Sequence, residues 1–178
     1  MIIEVDMSYQ VGEIVLYGTE GICRVLGTEE KRFGSEALMY YALESVGKGS
    51  RIFVPFANEA LIKRIRRPQT ADSMQNLLGD VQSIEDLDWH ENDRERKTYH
   101  MGIVANGGTK ELLQLIKTIQ NRRVAMQQAG KRLYATDDRV CKEALTLLIA
   151  EMTVSLSVNE EEAKQRLVSA WELFGMTE

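Results

Sequence analysis

Near Pro68 the apolar residues change period, and nothing else in this 178-residue chain constrains the fold as strongly. Before that point short apolar runs alternate with glycine turns. Val11-Gly12-Glu13-Ile14-Val15-Leu16-Tyr17 reads as a tight turn feeding a strand, because glycine reaches backbone angles that other residues avoid. Gly18 and Gly21 bracket the next turn, and Ile22–Leu26 is the returning strand. Gly34-Ser35 marks a further turn, and Leu38–Leu43 is rich in the aromatic and apolar residues of a half-buried strand. A loop over Gly47–Ser50 leads into Arg51-Ile52-Phe53-Val54-Pro55, a strand halted by proline. Four or five short strands in this space predict a small, strongly bent barrel.

Beyond Pro68 the spacing becomes helical. Thr70 or Asp72 caps a short helix carrying Met74, Leu77 and Leu78, stopped by Gly79. Asn92, with Glu95 three residues on, fits a capping box for a helix that runs to Asn106. Thr109 opens the clearest helix, with Leu112, Leu115, Ile116 and Ile119 on one face and Lys110, Lys117 and Arg122 on the other. Thr136 starts another, pointing Val140, Ala144, Leu147, Leu148 and Met152 inward. Asn159 and Glu162 mark the last, whose Ala163, Leu167, Ala170 and Trp171 share a face before an end near Gly175. The expected class is therefore α+β and multidomain. A small amino-terminal β-barrel over residues 1–68 precedes a carboxy-terminal helical bundle over residues 69–178.

Charged residues make up 28% and hydrophobic residues 44%, a foldable composition. No apolar run approaches the roughly 18 to 20 residues that span a bilayer, and the amino end lacks a basic region followed by an apolar core and a small-residue cleavage site, so a signal peptide is not expected. Cys23 and Cys141 lie far apart and form no ligand or redox motif, which predicts buried thiols in a cytoplasmic protein. The net charge of −5 conceals a pattern. Residues 72–93 hold seven acidic groups and no basic one, whereas residues 94–132 hold nine basic groups against two acidic. A polyanion feels the field within a Debye length, about 8 Å at physiological salt, rather than the total. The basic block, including Arg94, Arg96, Lys97, Lys117, Arg122 and Arg123, can thus meet phosphates. The alternative is a solvated face neutralised by the acidic blocks folded beside it.

Little in the sequence points to catalysis. His90 and His100 lack a third ligand at metal spacing, and no phosphate loop, nucleophile elbow or dinucleotide fingerprint occurs. We expect no enzyme, no metal and no cofactor. Trp89, by contrast, lies in Leu87-Asp88-Trp89-His90-Glu91, a polar stretch without periodicity. Either it anchors this linker onto the bundle, or it presents a ring to a partner, since tryptophan offers stacking area with few torsions to freeze.

The chain resembles the CarD/CdnL family of bacterial transcription regulators. The resemblance rests on Val11-Gly12-Glu13, Val15-Leu16-Tyr17, Gly21, Tyr41-Ala42-Leu43, Val54-Pro55 with Asn58, and Trp89 with the helices after it. Gly18 stands where the family usually carries proline. The resemblance implies a Tudor/SH3-like amino domain, similar to that of transcription-repair coupling factors, which binds the β subunit of RNA polymerase. It places the contact at Lys31, Arg32, Phe33, Arg51 and Phe53. It also implies that Trp89 wedges into the minor groove at the upstream edge of the promoter bubble, while the basic block holds phosphates without reading sequence. The implied protein is a nucleoid-associated monomer that stabilises the open complex. Two other readings stand beside this one. The first is a protein-interaction adaptor docking through residues 72–93 without nucleic acid, and the second is an RNA- or ribosome-associated barrel.

Overall fold

A computed structural model of the chain describes residues 9–33 and 36–172, apart from the side chains of Phe33 and Glu172. It forms two compact units, Met1–Pro68 and Gln69–Glu178. The first is an antiparallel sheet and the second is helical, so the chain is α+β.

In the first unit β1 (Ile14–Tyr17), β2 (Ile22–Phe33), β3 (Glu36–Ser45), β4 (Arg51–Pro55) and β5 (Ile65–Arg66) pair in the order β4-β3-β2-β1-β5. A single helical turn, α1 (Glu59–Ile62), precedes β5 and is capped by Asn58, whose side chain accepts from the Leu61 amide. The small barrel expected above is an antiparallel five-stranded sheet, whose end strands β4 and β5 share no ladder among the described residues. Between Val25 and Gly27 the register of β2 against β3 shifts, a bulge made by one unpaired residue, and Gly27 takes a φ of 135° that other residues rarely adopt. Val15, Cys23, Val25, Tyr41, Leu43, Val54 and Ile65 form the core beneath the sheet. Tyr9 and Phe56 stand edge-on to Tyr41, and the Tyr9 hydroxyl donates to the Ile65 carbonyl at 2.7 Å.

The second unit contains α2 (Ala71–Gly79), α3 (Asp93–Asn106), α4 (Thr109–Gln128), α5 (Ala135–Leu156) and α6 (Glu160–Glu172). Side chains set three of the starts. The Thr70 hydroxyl accepts from Ser73, the Asn92 carbonyl oxygen from Arg94 and Glu95, and that of Asn159 from Glu162. The α4 end is a Schellman turn. The Gly130 amide donates to Gln127 and the Lys131 amide to Met126, with Gly130 at φ 70°.

Helix α5 packs against α2, α3, α4 and α6, and the apolar faces read from the sequence meet around it. Met74, Leu112, Leu115, Ile116, Ile119, Val140, Ala144, Leu148, Met152, Ala163 and Leu167 are all buried. One carboxylate, that of Glu151, is fully enclosed. It accepts from the Gln69 amide and the Thr109 hydroxyl, which joins the start of this unit to α4 and α5. The stretch between α2 and α3 lies along α4 because the polar side of that helix supplies donors and an acceptor to its backbone. Lys117 donates to the Gln82 and Ile84 carbonyls, Gln114 to that of Glu85, and Thr118 accepts from the Leu87 amide. No described helix is long and apolar enough to cross a membrane.

Candidate functional site

Trp89 stands at the end of this pinned stretch, half-buried, and packs against the core of the helical unit. Two cations lie over its ring. The guanidinium carbon of Arg96 lies 4.6 Å from the ring centroid, and that of Arg122 lies 5.0 Å from it. His100 meets the indole edge-on at 5.7 Å. The indole anchors the linker, and it remains partly open to solvent.

Two expected phosphate ligands need correction. Arg96 is only 2% exposed. Its Nε and Nη2 donate to both oxygens of buried Asp137 at 3.0–3.2 Å, Nη2 also to Asp93 at 2.6 Å, and Nη1 to the His90 carbonyl at 2.7 Å. Burial pulls its pKa down, but the hydrogen bonds and charges of Asp137 and Asp93 outweigh that and leave it above its ordinary value. Arg96 therefore braces Trp89 from behind and ties α3 to α5; no phosphate reaches it. Lys117, with a side chain 14% exposed, is the staple on the Gln82 and Ile84 carbonyls and lies 4.0 Å from Asp86.

The remaining members of the basic block divide in two. Arg122 faces Glu91 at 3.7 Å and Arg123 pairs with Asp138 at 2.8 Å. A hydrogen bond from Lys142, with help from Arg123, holds the Asp138 carboxyl below its usual range. Arg94 and Lys97 are exposed on α3 and have no ion pair among the described residues. So are Lys110, placed on the polar face of its helix from the sequence, and Lys131 and Arg132 of the same basic block. Asp86, Glu91 and Asp93 of the acidic segment are thus turned onto the basic block, and neutralisation is real but partial.

His100 and Asp137 are functional-site neighbours that sequence reasoning missed. The imidazole is fully buried, 3.9 Å from the Asp137 carboxylate, and neither ring nitrogen has a hydrogen-bond partner among the described residues. Burial, reinforced by the charges of Arg96 and His90 and opposed by Asp137, holds its pKa below the ordinary value. Contact between residues 37 positions apart leaves no local signal; only the absence of another partner for a histidine on the buried side of α3 hints at it.

In the sheet unit the expected contact residues lie on β2 and β4. The Lys31 ammonium sits 2.9 Å from the centroid of the half-buried Phe53 ring. Arg51 and Arg32 are mostly exposed, 4.0 Å from Glu29 and 3.0 Å from Glu30 respectively. Phe33 pairs with Glu36 across the β2–β3 ladder, and its side chain lies outside the described residues. Beyond Val25, β2 has β3 on one side and no strand on the other among the described residues. Among the described residues Thr28–Phe33 therefore has one unpaired backbone edge, with Lys31 and Arg32 on that strand.

Residues 9–67 match the family model of the CarD-like/TRCF RID domain. A search of curated proteins finds no match to this chain.

Proposed function

The amino-terminal unit is a CarD-like RNA polymerase-interacting domain, and we propose that the chain uses it to dock on the polymerase β subunit while the helical unit holds the promoter open. The bare edge of β2 at Thr28–Phe33 supports strand addition, in which main-chain hydrogen bonds supply affinity and flanking side chains supply specificity. Lys31 and Arg32 lie on that edge strand, and Arg51 and Phe53 lie on β4 across β3 from it, with Lys31 reaching the Phe53 ring; together they suit an acidic and apolar partner segment.

The observation that carries the DNA half is Trp89, partly exposed and backed by the buried Arg96–Asp137 pair. A ring held from behind keeps its geometry when pressed against a melted junction, where it replaces stacking lost between bases. Stacking of one base on an aromatic is worth about 1–3 kcal/mol. A ligand shifts an equilibrium only by its differential affinity, so the open complex gains roughly 5- to 150-fold in population. Arg94 and Lys97 add affinity through phosphates without reading bases. The action is binding rather than catalysis, at the nucleoid in the cytoplasm. A docking role for the acidic segment finds less support, since three of its carboxylates face cations of the same unit.

Gel shifts on forked and fully paired DNA, across a salt series, test this reading. Wild type is expected to prefer the fork, and Trp89→Leu is expected to lose that preference while retaining polymerase. Absent binding, or equal binding to both DNAs by wild type, would remove it.

A further inference from the structure

Trp89 has an aromatic companion across its brace. The Arg96 guanidinium carbon that lies 4.6 Å from the Trp89 centroid lies 5.4 Å from that of Tyr134, so both rings contact one buried cation. Tyr134 is the residue before α5 and is 51% exposed, more than any other aromatic named among the exposed large side chains. Nothing in the hydrophobic core uses its ring, and its hydroxyl has no hydrogen-bond partner among the described residues. It ends a loop, Gly130–Tyr134, whose Lys131 and Arg132 are exposed and free of ion pairs among the described residues. The Schellman turn at Gly130 fixes where this loop leaves α4.

We infer that Tyr134 is a second stacking residue for the unpaired DNA strand, with Lys131 and Arg132 holding the phosphates beside it. This rests on the fork-binding reading above and extends it from a point contact to a track. The two ring centroids are therefore no more than about 10 Å apart, at most about three nucleotide steps at about 3.4 Å per step in a stacked strand. Aromatic platforms alongside a basic groove are how single strands are held without sequence preference. The Arg96–Asp137 pair fixes both platforms at once, because the same cation faces each ring.

The test is filter binding of the full chain to forks with and without a single-stranded tail, and to blunt duplex. Tyr134→Leu is expected to weaken tailed-fork binding by about 5- to 150-fold and to leave blunt-duplex binding unchanged, with Tyr134→Phe within about twofold of wild type. Photocrosslinking of a 5-iodouracil tail to the unaltered protein is expected to place an adduct on Tyr134. Wild-type tailed-fork affinity in Tyr134→Leu, equal losses on tail and duplex, or adducts confined to Trp89 would overturn the inference. If Trp89→Leu also leaves every affinity unchanged, the fork reading itself falls; if only Tyr134→Leu is silent, that reading stands and the second platform does not.

Discussion

Replacing Arg96 removes more than a charge, because Asp137 is then left enclosed with no cation. Breaking one side of a buried pair costs about 3–5 kcal/mol, and we expect Arg96→Met to lower the stability of the helical unit by that amount in urea unfolding. Adding Asp137→Asn is expected to recover part of the loss; a loss below about 1 kcal/mol in Arg96→Met would contradict the brace. His100 makes the same cluster sensitive to acid. Below its ordinary value of 6.5 the unfolded chain takes up a proton that the folded protein resists, since burial depresses the folded pKa. The stability it contributes is present above that value and is lost as pH falls through the depressed folded pKa. The groups facing the imidazole are Asp137 from α5, Arg96 from α3, and His90 and Trp89 from the preceding stretch. The melting temperature is expected to fall below about pH 6.5, and to fall less in His100→Gln. Identical pH profiles for the two proteins would exclude His100 as the cause.

At the scale of elements, the two Schellman turns of the helical unit differ in one respect. The first has glycine at its left-handed position, while α5 ends on Ser157 at φ 54°, with the Val158 amide donating to Thr153. A side chain there carries a steric cost, so Ser157→Gly is expected to stabilise the unit by about 0.5–1 kcal/mol and to raise its melting temperature. A decrease would mean that the serine side chain stabilises the turn. Helix starts were legible in the sequence because caps are local. Thr70, Asn92 and Asn159 each accept the bond their position predicts. The length of β2 was not legible, because Thr28-Glu29-Glu30-Lys31-Arg32 has no apolar alternation; it is extended because β3 pairs with it throughout. Helix α1 and strand β5 are too short to carry a period, and Gly175 lies outside the described residues. For the site, the sequence located Trp89 and the exposed cations Arg94 and Lys97. It misassigned Arg96 and Lys117, since their partners come from other elements: the carboxylate of α5, and the carbonyls of the pinned stretch.

Over the whole chain, a protein of net charge −5 is expected to bind DNA with the salt response of a basic one. Five exposed cations, Arg94, Lys97, Lys110, Lys131 and Arg132, predict a slope of log affinity against log salt of about −4 to −5 on duplex if each meets a phosphate. A slope near zero would show that they meet no phosphate. The sheet unit has its own test: Lys31→Glu with Arg51→Glu is expected to reduce retention of the polymerase β subunit in a pull-down, and unchanged retention would move the docking edge elsewhere. The indole at position 89 has one more consequence. The chain has two tryptophans, and among the described residues only Trp89 has two guanidiniums over its ring and a histidine ring against it. Nearby charges tune the emission of an excited indole, so displacement of Arg122 by a ligand would change the colour and yield of that fluorophore. The protein thus contains its own optical probe of engagement, with Trp171 as a built-in reference.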